Sequence, residues 1–225
     1  MKTLQRFKIQ TTCVLTLIGL GALALASSSA FAAAAAITLQ FDTHAAFFSA
    51  ETKQKAPLDP QVFIAAPNAP AGTGPQGIKH VAGVRNALIS DDADLPILNA
   101  AGKPLDMSLG QWLSAKGEVV LTPLDSGKER VTVILSGLKS KGVYSLFENH
   151  FDQSPVGFTP LGDTGTDNNF SADAHGNAIV STVSSTILTH DNAVLVVYHS
   201  DQTAHGKLRG DLGVNAHHQL IARPQ

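Results

Sequence analysis

The 225-residue chain carries 16 Lys and Arg against 18 Asp and Glu, with a single cysteine, Cys13. A slight acidic excess makes nucleic acid a poor partner, because binding a phosphate backbone needs a cationic footprint. One cysteine excludes an internal disulfide and leaves no thiolate set for zinc or an iron–sulfur cluster.

Residues 1–32 read as a cleaved secretory signal peptide. Lys2, Arg6 and Lys8 form a positive start, Val14 to Ala26 is almost wholly apolar, and Ala30-Phe31-Ala32 offers the small-x-small exit that signal peptidase needs. The apolar core falls short of the about 20 residues of a spanning helix. Cleavage after Ala32 leaves 193 residues with 13 basic and 18 acidic side chains, a net charge of −5, and no cysteine. The mature chain is therefore expected to be secreted or periplasmic, to meet an envelope or extracellular partner, and to keep no membrane span.

Ile37–Phe41 alternates as a strand does. Residues 56–83 hold Pro57, Pro60, Pro67, Pro70 and Pro75 with four glycines, which predicts irregular structure around at most one short strand, Val62–Ala65. The acidic stretch Asp91–Pro96 reads as a solvated turn. Leu109–Leu113 fits a short helix or a twisted strand equally well. Strand-like runs follow at close spacing: Glu118–Thr122, Val131–Leu135, Val143–Glu148, Ala178–Val183, Ala193–His199 and Gln219–Arg223. Turn signals rich in Gly, Asp and Asn part them. This pattern predicts an all-β protein, an antiparallel, Greek-key-like β-sandwich over residues 105–225, after an irregular N-terminal arm or partial sheet at 33–104.

Common catalytic signatures are missing: there is no G-x-S-x-G elbow, phosphate loop, dinucleotide fingerprint or H-E-x-x-H, and no catalytic residue is assigned. Asp163–Asn169 is oxygen-rich, but its glycine is misplaced for a calcium loop and no bidentate glutamate follows, so it reads as a polar hairpin loop. Histidine is the informative residue, since seven of the nine lie between His150 and His218. Imidazole suits zinc and copper. The candidate metal ligands are His150, His199, His205, His217 and His218, with Asp152 or Asp201 orienting an imidazole from behind. His150, His199 and His205 are expected to share one ion, while His44 and His80 stand outside the set. His217 and His218, being adjacent, should face opposite ways. The competing expectation is that these rings bond loop carbonyls and brace strand ends.

Two resemblances bear on this. Taken in order, VTVILSGLKSKGVYSLFENHF, FTPLG, SADAHGNAIVS and NAVLVVYHSD resemble stretches of the copper/zinc superoxide dismutases, which implies a Greek-key sandwich and a histidine-held copper or zinc. In that alignment Phe147 and Asn149 occupy the His-x-His positions, and His150 and His199 each fall one place late. GQWLSAKGEVVLT, VILSGLKSKGVYSL, NNFSADAHG and YHSDQTAHG are similar to a class of exported bacterial β-domains without an assigned activity. Two functional expectations follow: an exported, non-enzymatic binding or scaffold protein, or a histidine-ligated copper or zinc protein with dismutase-like activity.

Overall fold

The computed structural model describes residues 35–125, 127–162 and 164–225. The expected signal segment lies outside the described residues, as do Ser126 and Asp163. In chain order the elements are β1 (Ile37–Gln40), β2 (Asp42–Thr43), α1 (His44–Glu51), β3 (Leu58–Ala65), β4 (Gly72–Thr73), β5 (Lys79–His80), β6 (Val84–Leu88), β7 (Pro96–Leu98) and β8 (Pro104–Ser108). Then come α2 (Leu109–Leu113), β9 (Lys116–Pro123), β10 (Glu129–Ser136), β11 (Val143–His150), β12 (Gly157–Pro160), β13 (Asn169–Ser171), β14 (Ala178–Ser184), β15 (Asn192–His199) and β16 (Ala216–Ala222).

The protein is all-β, with antiparallel sheets in sandwich arrangement. One sheet runs β1-β9-β10-β14; the second runs β12-β11-β15-β16-β2, with β13 also paired to β11. Alternation sets the face of the first sheet. Along β10, Val131, Val133 and Leu135 are buried while Arg130, Thr132 and Ile134 point outward. The second sheet lacks that alternation, because β11, β15 and β16 are buried almost residue for residue. A continuous apolar run such as Ala193–Tyr198 fits a strand covered on both faces. Its inner face (Tyr144, Leu146, Val194, Val196, Tyr198, Leu220) packs against Val119, Leu121, Val131 and Val133 of the first sheet. Its outer face (Phe147, Leu195, Val197, Ile221) forms a separate cluster capped by Phe47, Phe151, Phe158 and Leu212.

The Pro/Gly-rich segment holds more strand than its composition suggests. β6-β3-β7-β8 make a third sheet, and β4-β5 a two-stranded ribbon. β3 begins at Leu58 and runs through Pro60, four residues earlier than expected. Its pairing with β6 is irregular between Leu58 and Phe63, so a proline without an N–H is tolerated there. In that gap the buried Asp59 carboxylate accepts the N–H groups of Gln61 and Val62 at 2.8 and 3.0 Å. Val62, Ile64, Ala87, Ile97 and Leu105 join the sandwich core, so one hydrophobic cluster takes residues from both sides of Pro104.

Leu109–Leu113 is a helix. Ser108 accepts from Gln111 N, and Gln111 Oε1 accepts from Ser108 N, a capping box that fixes the turn. The helix buries Trp112, whose Nε1 donates to Asp59 Oδ2 at 2.8 Å. The acidic turn is less solvated than expected, since Asp91 takes a two-pronged ion pair from Arg85 at 2.7 and 2.8 Å. No helix among the described residues is long and apolar enough to cross a membrane.

Candidate ligand cavity

The histidines singled out by sequence fall in three places. His150 ends β11 opposite Asn192, while His199 ends β15 opposite Val143. Seven paired residues separate those two positions, about 23 Å at 3.3 Å per residue. His150 and His199 therefore cannot hold one ion, and the expected His150–His199–His205 set is overturned. Equal slips on neighbouring antiparallel strands move two residues toward opposite ends of the pair, not together. His150 instead bonds Thr159 Oγ1 at 2.9 Å and lies 3.6 Å from Glu148.

His199 and His205 do meet, with ring centroids 5.1 Å apart. Ser145 Oγ lies 2.7 Å from His199 Nε2 and donates to Asn169 Oδ1 at 2.7 Å, so the imidazole donates from Nε2. That leaves His199 Nδ1 bare and buried. Asp201 Oδ2 lies 3.1 Å from His205 Nε2. His217 and His218 do face opposite ways. His217 packs edge-on to Trp112 within the sandwich and bonds the Gln61 carbonyl at 3.1 Å. Among the described residues, no three His, Cys, Asp or Glu side chains lie close enough to hold one metal ion.

The outer face of the second sheet carries a different constellation. A β-bulge shifts the β15–β16 register, so Val196 faces Leu220 while Val197 faces His218, with Gln219 as the extra residue. Regular alternation would put His218 on the inner face with Leu220; the bulge turns it outward to share a face with Ile221. Asn149 of β11 lies on this face beside its cross-strand partner Phe158. α1, started by the Thr43 side chain accepting from Ala46 N, sets His44, Phe47 and Phe48 above them. The long connection between β15 and β16 brings Arg209, and Gly210 just after it turns with φ +87°, a conformation that favours glycine. Together these segments line an open cavity of about 700 Å³.

The polar groups around this cavity are under-satisfied. Arg209 Nη1 lies 3.1 Å from His218 Nε2, and a guanidinium can only donate. His218 therefore accepts through Nε2 and carries its proton on Nδ1, which is buried without a partner. His44 Nδ1 and Asn149 Oδ1 are likewise buried and unpartnered. The His44 and His218 rings meet edge-on with centroids 4.9 Å apart. Burial, seconded by the Arg209 charge, holds His44 down to about 3; burial, then the charges of His44 and Arg209, holds His218 well below the ordinary imidazole range. Both rings are neutral at physiological pH. Arg209 lies 3.2 Å over the Phe158 ring, and burial pulls its guanidinium down to about 10.

No family model matches this chain, and no curated relative matches it. Of the cavity's polar groups, only His218 was among the residues singled out by sequence. In the sequence His44 lies far from the histidine cluster, Asn149 stands beside the more conspicuous His150, and Arg209 sits in no motif. One signal was available: the 16 residues between β15 and β16 make a connection longer than most, and such loops are often functional.

Proposed function

We propose that this chain is an exported binding protein, secreted or periplasmic, that takes a small ligand into the cavity between α1 and the outer face of the second sheet. One observation carries the reading: three buried side chains with unpartnered polar atoms, His44, Asn149 and His218, line a single cavity. Each orphaned group costs about 1–3 kcal/mol in a folded protein. Three around one hollow, amid phenylalanines, are a poor arrangement for stability and a good one for a ligand. Export rests on the charge, apolar core and small-residue exit of residues 1–32.

The test uses the mature chain and Nile red, a neutral apolar dye that brightens out of water. The dye is expected to brighten and shift to the blue on binding. Val156→Trp, at a half-exposed position on the cavity wall, should abolish that response while leaving the circular dichroism spectrum unchanged. No brightening, or equal brightening in the folded Val156→Trp chain, would overturn the cavity as the site. Export is checked by mass spectrometry of the secreted or envelope protein, which should begin at Ala33.

A further inference from the structure

We infer that the ligand is a monocarboxylate with an apolar body, its carboxylate on Arg209 and its body among the phenylalanines under α1. This deepens the cavity reading and rests on it.

Charge comes first. Arg209 is partly buried, yet among the described residues no carboxylate lies within 4 Å of it, and its one polar contact is His218 Nε2. A guanidinium has five N–H donors in a planar fork, so most of its donors remain for something else. The two imidazoles beside it are neutral. The acid at the cavity rim, Glu51, stands beside Arg223 at 3.9 Å. A cation that is partly buried, with no counter-charge near it, is left short of partners that an anion can supply. The missing partner here is an anion.

Valence and shape narrow the choice. One guanidinium balances one negative charge, whereas a phosphate dianion would bring a second charge beneath an apolar lid. The fork matches a carboxylate in a two-pronged pair. Phe158 fixes the guanidinium plane from below, which orders the fork before the ligand arrives. His218 Nδ1, which carries that ring's proton, and His44 Nδ1 are unpartnered in the wall of the same cavity. Beyond this polar corner, Phe47, Phe48, Phe151 and Ile221 offer only hydrocarbon. A volume of about 700 Å³ suits an aliphatic or aryl acid of modest length.

The probes are octanoate, 1-octanol and octylamine, which share a chain and differ in charge. Each is titrated against Nile red bound to the mature wild-type chain. Octanoate is expected to displace the dye at a concentration at least tenfold below that of octanol, with octylamine weakest. In R209M the gap between octanoate and octanol should close. If the dye binds and wild-type protein does not prefer octanoate, the carboxylate inference is wrong while the cavity reading stands. If the dye fails to bind, the cavity reading itself has failed. An octanoate preference that survives in folded R209M would place the anion site elsewhere and overturn the assignment to Arg209.

Discussion

The two faces of the second sheet are built from alternate residues of the same strands, and they obey different rules. On the inner face Leu146, Val194, Val196 and Leu220 pack against the first sheet, and the tyrosine hydroxyls reach the edge for partners: Tyr144 Oη accepts from Lys139 N and Tyr198 Oη from Gln202. The outer face is as deeply buried, yet it carries Asn149, His199 and His218, each with an unpartnered atom, beneath His44, which has another. Burial alone does not make a face structural. The inner face is mainly hydrocarbon, with His217 bonded to the Gln61 carbonyl and Gln219 to the Trp112 carbonyl, whereas the outer face gathers its unpartnered polar groups around a hollow.

The largest expected effect is acid, and it draws on both faces, since His217 lies on the inner one. His44 is held to about 3, His199 and His217 to about 4, and His218 well below its ordinary range, burial being the first cause in each. In the unfolded chain these imidazoles take protons near 6.5. Above that pH neither state is protonated; as pH falls toward 4 the unfolded chain binds protons the folded one refuses, and stability is lost. Asp59 acts in the opposite sense, because burial raises it to about 6 and the folded chain then binds its proton first. Glu129, raised by burial, acts in the same sense as Asp59, but the four imidazoles outweigh the two carboxyls and predict a net loss on the order of a few kcal/mol between pH 7 and pH 5. Urea denaturation at stepped pH reads this directly. A midpoint that is flat from pH 7 to 5 would mean that the histidines are not buried neutral.

Next in size is truncation on the inner face. Leu146→Ala removes a fully buried side chain between two sheets and should cost about 2–5 kcal/mol by urea denaturation. The outer face should answer with the opposite sign. Asn149→Leu replaces an under-satisfied amide by hydrocarbon beside Phe147 and Phe158, and it should raise stability by roughly 1 kcal/mol. The same variant should weaken Nile red binding. Destabilisation by Asn149→Leu would show that the amide has a structural partner after all.

The smallest effect concerns His150. It sits at the opposite end of β11 from the His199–His205 pair. Any copper or zinc that the pair takes up should be retained fully in His150→Ala, as measured by competition with a chromophoric chelator. Loss of metal in that variant would contradict the strand register.

Much of the fold is legible in the sequence, because turn residues part the strands. The runs read at Val131–Leu135, Val143–Glu148 and Ala193–His199 lie within β10, β11 and β15. β3 was only partly visible, since Pro60 masks a strand whose ladder happens to be irregular there. The helix at Leu109–Leu113 was ambiguous by periodicity, although the Ser108–Gln111 capping pair lay in plain view. The site was far less legible. Histidine count pointed to metal, whereas strand direction decides which histidines meet, and one extra residue at Gln219 decides which way His218 faces. Neither the pairing of β11 with β15 nor a bulge has a local signature. Arg209 gains its meaning only from what it lacks, a nearby carboxylate, and that is a tertiary property.

The central claim is that the outer-face cavity holds the ligand. The most direct measurement is a nuclear magnetic resonance titration of the labelled mature chain with octanoate, following backbone amides and histidine ring nitrogens. The account predicts saturable shifts centred on His44, Asn149, Phe158, Arg209 and His218, with the His218 ring responding most strongly. The chain also exposes a second apolar surface, Ile134 and Ile179 on the outer side of the first sheet. Shifts confined to that surface, with His44 and His218 unmoved, would contradict the account.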